Sequence, residues 1–143
     1  RYSMSTVYKI NSICKINTKN QTPCKYSMEV AINIVPVRKN KKFENFVLGI
    51  NDYPQCCEDF GTDCTLGEWF EEEKFVESIE VGVDVPEEVC NKYMDDKFAV
   101  KVNIKNEPPV YAWVYNYHNG YYCHNVYYTD NTLKTDCWEQ NYL

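Results

Sequence analysis

Histidine and glycine are scarce, at 2 and 5 of 143 residues, and each shortage removes a class of chemistry. No glycine-rich loop is present to cradle a phosphate, and none of the five serines, Ser3, Ser5, Ser12, Ser27 and Ser78, sits in a Gly-x-Ser-x-Gly elbow. The two histidines, His118 and His124, are six residues apart and would have to converge on one bond to work as an acid–base pair. No Cys-x-x-Cys occurs, which argues against a zinc ribbon and a thioredoxin-like redox motif. No apolar run approaches the roughly 18 residues of a membrane-spanning helix, and no membrane span is expected. Lys and Arg number 15 against 21 Asp and Glu, giving a formal charge of −6. With a pI near 4.9, nucleic acid is an unsuitable partner, because affinity for the phosphate backbone comes mainly from cationic side chains. A sustained apolar period of 3.6 residues is also missing, which excludes an amphipathic-helix architecture.

What is present is aromatic and sulfur-rich. Tyr, Phe and Trp number 13, 6 and 3, hydrophobic residues make up 44% of the chain, and charged residues 25%, the balance of an ordinary globular domain. The length suits one hydrophobic core, so residues 1–143 are expected to form a single domain. Eight cysteines, Cys14, Cys24, Cys56, Cys57, Cys64, Cys90, Cys123 and Cys137, are an even number and predict four structural disulfides in an oxidising compartment. Cys14 and Cys24 flank a polar turn that a bridge would close, whereas a vicinal Cys56–Cys57 ring would be strained. Asn20-Gln21-Thr22 is an N-glycosylation acceptor pattern at Asn20, and the chain opens at Arg1, as after leader removal. A secreted, extracellular protein is the expectation.

Alternation predicts strands. In 26–34 Tyr26, Met28, Val30, Ile32 and Ile34 face one way, with Ser27, Glu29, Ala31 and Asn33 opposite. Segment 5–16 repeats the pattern through Tyr8, Ile10, Cys14 and Ile16. Segment 75–85 does so through Phe75, Ile79, Val81, Val83 and Val85, and 97–105 through Phe98, Val100, Val102 and Ile104. The acidic face of 75–85, with Glu80, complements the lysine face of 97–105, with Lys97, Lys101 and Lys105. Pro86-Glu87-Glu88-Val89-Cys90 allows one helical turn. The predicted fold is mainly β, a disulfide-stapled antiparallel β-sandwich with at most that turn.

Asn119-Gly120, flanked by aromatic runs, predicts a two-residue turn closing a hairpin over 111–128. Its register pairs Trp113 with Val126 and Tyr111 with Tyr128. Tyr111, Trp113, Tyr115, Tyr117, Tyr122, His124 and Tyr128 would then share one face, with His118 on the other. Such a face either fills a core or anchors a ligand, since Tyr and Trp dominate binding hot spots.

Charge is segregated as well. Arg38, Lys39, Lys41 and Lys42 form a basic turn, whereas 52–77 is acidic and set against a single Lys74. Glu58, Asp59, Asp63 and Glu68 have the oxygen ligands of a calcium site but not EF-hand spacing. The alternative is complementarity between the basic turn of one molecule and the acidic stretch of its neighbour. Catalysis has little support: all-paired cysteines would offer no thiolate, no cofactor is implied, and only a carboxylate pair for glycoside hydrolysis stays open. The expected function is a non-enzymatic secreted or cell-surface structural protein. It would associate with itself or with another extracellular protein, in a filament for example, through strand and aromatic contacts. The alternative is a carbohydrate- or receptor-binding module using the aromatic hairpin.

Overall fold

Runs of Val, Ile and aromatic residues at a period of two favour extended backbone, because branched side chains pack well on a pleated surface. The computed structural model describes residues 6–19, 29–41, 43–50, 58–90, 96–117, 124–129 and 138–142. Among them are nine strands: β1 (Thr6–Asn17), β2 (Glu29–Pro36), β3 (Phe46–Ile50), β4 (Asp59–Cys64), β5 (Glu71–Val83), β6 (Asp96–Ile104), β7 (Val110–Tyr117), β8 (Asn125–Thr129) and β9 (Trp138–Tyr142). They form one antiparallel sheet in the order β4-β7-β6-β5-β1-β2-β3-β8-β9. No helix occurs among the described residues, and none is long and apolar enough to cross a membrane. At 86–90 the Pro86 carbonyl accepts from the amides of Val89 (2.9 Å) and Cys90 (3.1 Å), which makes the single expected turn.

The sheet curls until its two halves meet. β2 and β3 approach β4 and β7, although these pairs are not neighbours in the hydrogen-bonded order. Phe98 of β6 stacks on Tyr128 of β8 with centroids 5.3 Å apart, and Phe46 of β3 lies 6.2 Å from the same ring. Ile16, Ile32, Ile34, Leu48, Ile79 and Val100 are fully buried between the halves. Burying each such side chain contributes about 1.5–3 kcal/mol. The curl is latched at the β4 edge, where the Thr62 amide donates to the Glu29 carboxylate at the start of β2 (2.9 Å) and the Thr62 hydroxyl donates to the same oxygen.

Three expectations are corrected. First, β7 and β8 do not form a hairpin. β7 pairs with β4 and β6, so Trp113 lies opposite Asp63 and Ala99, while β8 pairs with β3 and β9 and sets Val126 opposite Ile50 and Asn141. Turn chemistry at Asn119-Gly120, outside the described residues, does not decide pairing when each strand finds apolar neighbours elsewhere. Second, Cys14, Cys64 and Cys90 carry free thiols and no bridge joins any two of them. That removes the expected Cys14–Cys24 closure. Cys24, Cys56, Cys57, Cys123 and Cys137 lie outside the described residues, as does Asn20. Third, segment 5–16 does not supply the strand contacts expected for association, since β1 lies in the sheet interior, paired along its length with β5 and from Cys14 onward with β2.

Candidate interaction surface

Of the described aromatic-face residues, Tyr111, Trp113 and Tyr115 share one face of β7, whereas His124 and Tyr128 lie with the main core. Tyr111 and Trp113 point outward from β7 but are buried against Val85 and Ala99, with Val83, Val89, Cys90 and Tyr115 packed around them. Trp113 is only 3% exposed, and its indole N–H has no hydrogen-bond partner, the mark of a space-filling ring. Tyr128 belongs to the main core on the opposite side of the sheet. The side chains of Tyr117 and Tyr122 lie outside the described residues. His124, 2% exposed, is hydrogen-bonded through Nε2 to Glu58 Oε1 and stacks on Phe60 with centroids 4.1 Å apart and planes at 14°. Among the described residues no histidine therefore faces solvent.

The acidic candidates also disperse. Glu58 is enclosed with His124, Asp63 accepts from the Cys64 amide (2.8 Å), and Glu68 accepts from Lys19 (2.8 Å). Among the described residues no three such ligands converge on a metal-sized site. Much of the acidic stretch 52–77 is strand, since β4 and the start of β5 fall inside it.

The outer face of β5, β1 and β2 joins the basic turn to apolar side chains that the sequence did not single out as exposed. Ile13 lies opposite Phe75 in the β1–β5 register and is 52% exposed. With Val37 they form the apolar floor of an open groove of about 680 Å³. Arg38, Lys39 and Lys41 line its rim with Asn11, Ser12 and Asn40, and none of the described lining residues is acidic. Lys105 adds a further cation 5.3 Å from the centre of the Phe75 ring. The groove is built into the fold. Asn11 takes a left-handed φ of 50° where the β1–β5 register shifts between Lys9 and Ser12. The basic turn is fastened by the Val37 amide on the Ile13 carbonyl (2.9 Å), by Asn40 on Ser12 Oγ (2.9 Å) and by fully buried Phe43. Exposed Ile13 and Val37 were hidden in the sequence, because β-branched residues there read as ordinary strand material.

A second groove of about 430 Å³ shares Val37 and is lined by Lys15, Asn17, Asn33, Glu71 and Glu73. Asn17 and Asn33 are register partners, and the Asn17 carboxamide oxygen is buried without a hydrogen-bond partner.

Beyond that groove, residues 65–70 make a fixed turn. Thr18 Oγ1 donates to the Gly67 carbonyl (2.7 Å) and accepts from the Phe70 amide (2.9 Å), while the Thr18 amide donates to the Phe70 carbonyl (3.1 Å). Lys19 adds ion pairs to Glu68 (2.8 Å) and Glu29 (3.8 Å). Partial burial works to lower the Lys19 pKa, but hydrogen bonding to Glu68 and the charges of Glu29, Glu68 and Asp63 outweigh it and hold the ammonium above its ordinary value. The same hydrogen bond lowers the pKa of Glu68. At the tip Trp69 is 68% exposed with φ at 62°. Comparison with known proteins found no matching family model, no matching curated protein and no matching solved structure.

Proposed function

We propose that the protein is a non-enzymatic, secreted or cell-surface structural protein that associates with copies of itself in an extracellular assembly, docking through the outer face of β5, β1 and β2. The groove of exposed Ile13 and Val37 with half-buried Phe75 carries this reading: apolar side chains ringed by cations, on a chain of net charge −6, suit a partner surface that is apolar and acidic. The two halves of the curled sheet serve as the layers of a sandwich-like scaffold behind that face. Secretion is supported by the acceptor pattern at Asn20. A non-catalytic role is supported by enclosed His124 and by thiols at Cys14 and Cys64 that burial keeps protonated.

Light-scattering mass over a concentration series, with negative-stain images, tests the proposal. The wild type is expected to grow into regular oligomers. Ile13→Asp, which places a carboxylate on the exposed floor without touching the core, is expected to stay at 16.9 kDa. A wild type that remains monomeric at every concentration overturns self-association. One observation favours a second reading, a carbohydrate-binding module: the buried, unpartnered Asn17 carboxamide oxygen beside Asn33 would accept from a hydroxyl donor. Saturable binding of soluble oligosaccharides, lost in Asn33→Ala, would support it.

A further inference from the structure

The geometry points to the Trp69 turn of a second copy as the occupant of the basic groove, an inference that rests on the self-association proposed above. Among the described residues Trp69 is the most exposed of the large apolar side chains. A bulky residue in the left-handed region is unfavourable, and here it holds an indole in water rather than in the core. The turn cannot relax this by folding inward, because Thr18 and Lys19 fasten it on both sides of the ring. The result is a rigid aromatic projection whose ordering cost is met before any partner arrives, which is how an interface anchor is pre-organised.

The surroundings of the two surfaces are opposite in sign. Glu68 precedes Trp69, and Glu71, Glu72 and Glu73 follow it, all exposed. The groove, of about 680 Å³, has Arg38, Lys39 and Lys41 at its rim and Ile13, Val37 and Phe75 as an apolar floor. Neither surface can satisfy the other within one molecule. Phe75 lies six residues beyond Trp69 along a strand, a span on the order of 20 Å, and the fastened turn cannot swing back over it. The contact is therefore between copies and between unlike surfaces. Such a heterologous contact leaves one free projection and one free groove on every pair, so it propagates unless the rotation closes a ring.

Complementation of two defective variants tests this. Trp69→Ala retains the groove but lacks the projection, and Ile13→Asp retains the projection but spoils the groove. Each alone is expected to lose association on the order of 30-fold or more, the scale of a hot-spot residue. Mixed, they are expected to form a heterodimer that grows no further, since the only competent projection meets the only competent groove. Trp69→Ala should keep the wild-type circular dichroism and a melting midpoint close to wild type, because the side chain is exposed and alanine meets the same backbone constraint as tryptophan. Association should also weaken as salt rises from about 0.05 to 0.5 M, which shortens the screening length severalfold. If the wild type associates and Trp69→Ala associates equally well, or if the mixture never forms a heterodimer, this inference is overturned while self-association stands. A wild type that never associates overturns both.

Discussion

Cys14 shows how one residue type can be right in pattern and different in role. It lies on the inward face of β1 with Ile10 and Ile16, as its alternation predicts, yet it serves the core as a small apolar side chain, not as half of a bridge. Desolvation pushes its pKa from the ordinary value near 9 to about 12, and burial does the same for Cys64 at the end of β4. At pH 8 a thiol of pKa 12 is thiolate in only about one molecule in ten thousand, so both are inert to alkylation in the native state. The linkage has a definite sign. In unfolded chains these groups ionise near pH 9 and in the folded protein only near 12, so between those values the native state holds more protons. Their favourable effect is complete below pH 9 and is lost as pH rises towards 12. We expect the urea midpoint to fall across that window and the fall to be shallower in Cys14→Ala/Cys64→Ala, whatever the cost of the substitutions at neutral pH. Equal alkaline slopes in both proteins would show that the thiols stay exposed enough to ionise.

At the scale of the element, two backbone groups of the 65–70 turn depend on one side chain. Thr18 is almost fully buried and satisfies both the Gly67 carbonyl and the Phe70 amide through one hydroxyl. Thr18→Val preserves shape but leaves those two backbone groups without it, which costs about 1–3 kcal/mol. The expected result is a lower melting midpoint and faster hydrogen exchange at the Phe70 amide, with the β5–β6 amides unchanged. Exchange that accelerates everywhere would mean that the turn and the sheet open together. Legibility also divides at this scale. The strands 97–105 and 5–16 face as their alternation says, and Glu80 meets Lys101 in register, 3.9 Å apart, as the complementary faces predict. Where a bulge intervenes the alternation misleads. Shifts at Val76/Ser78 and Val81/Val83, the latter with Gly82 at φ 82°, send Val76 into the main core while Phe75 and Val83 face elsewhere. A shift at Val30/Ile32 likewise turns Val30 away to pack on Val47. The bulge in β1 leaves Ile10, Cys14 and Ile16 on one face, but those in β5 and β2 reverse the facing beyond them, and period-two counting has no means of telling the two cases apart. The groove was illegible for a related reason: Ile13 and Phe75 meet only through a pairing between segments some sixty residues apart, and Arg38 to Lys41 joins them through a turn anchored by Phe43.

At the scale of the whole molecule, the curl decides whether the sheet has an open end. β4 terminates the hydrogen-bonded order, and an end strand with free amides is a template for pairing with another chain. Here the Thr62 amide and hydroxyl both point to the Glu29 carboxylate, which comes from the opposite half of the sheet and is also near Lys19. One side chain thus occupies an edge donor and holds the two halves closed over the core. Glu29→Ala should remove about 1.5–3 kcal/mol, the range for a hydrogen bond to a charged acceptor, seen as a lower urea midpoint. It should also expose the β4 edge, so thioflavin-positive aggregate should form where the wild type gives none. Glu29→Gln retains one acceptor oxygen and should fall between the two. The aggregate must differ from any regular assembly through the Trp69 turn, because adding Ile13→Asp to Glu29→Ala should leave it in place: edge pairing requires backbone amides and no groove. If Glu29→Ala is as stable as wild type and free of aggregate, the packing of Phe98 and Phe46 on Tyr128 is enough to hold the halves together, and the carboxylate only decorates an edge that the core has already closed.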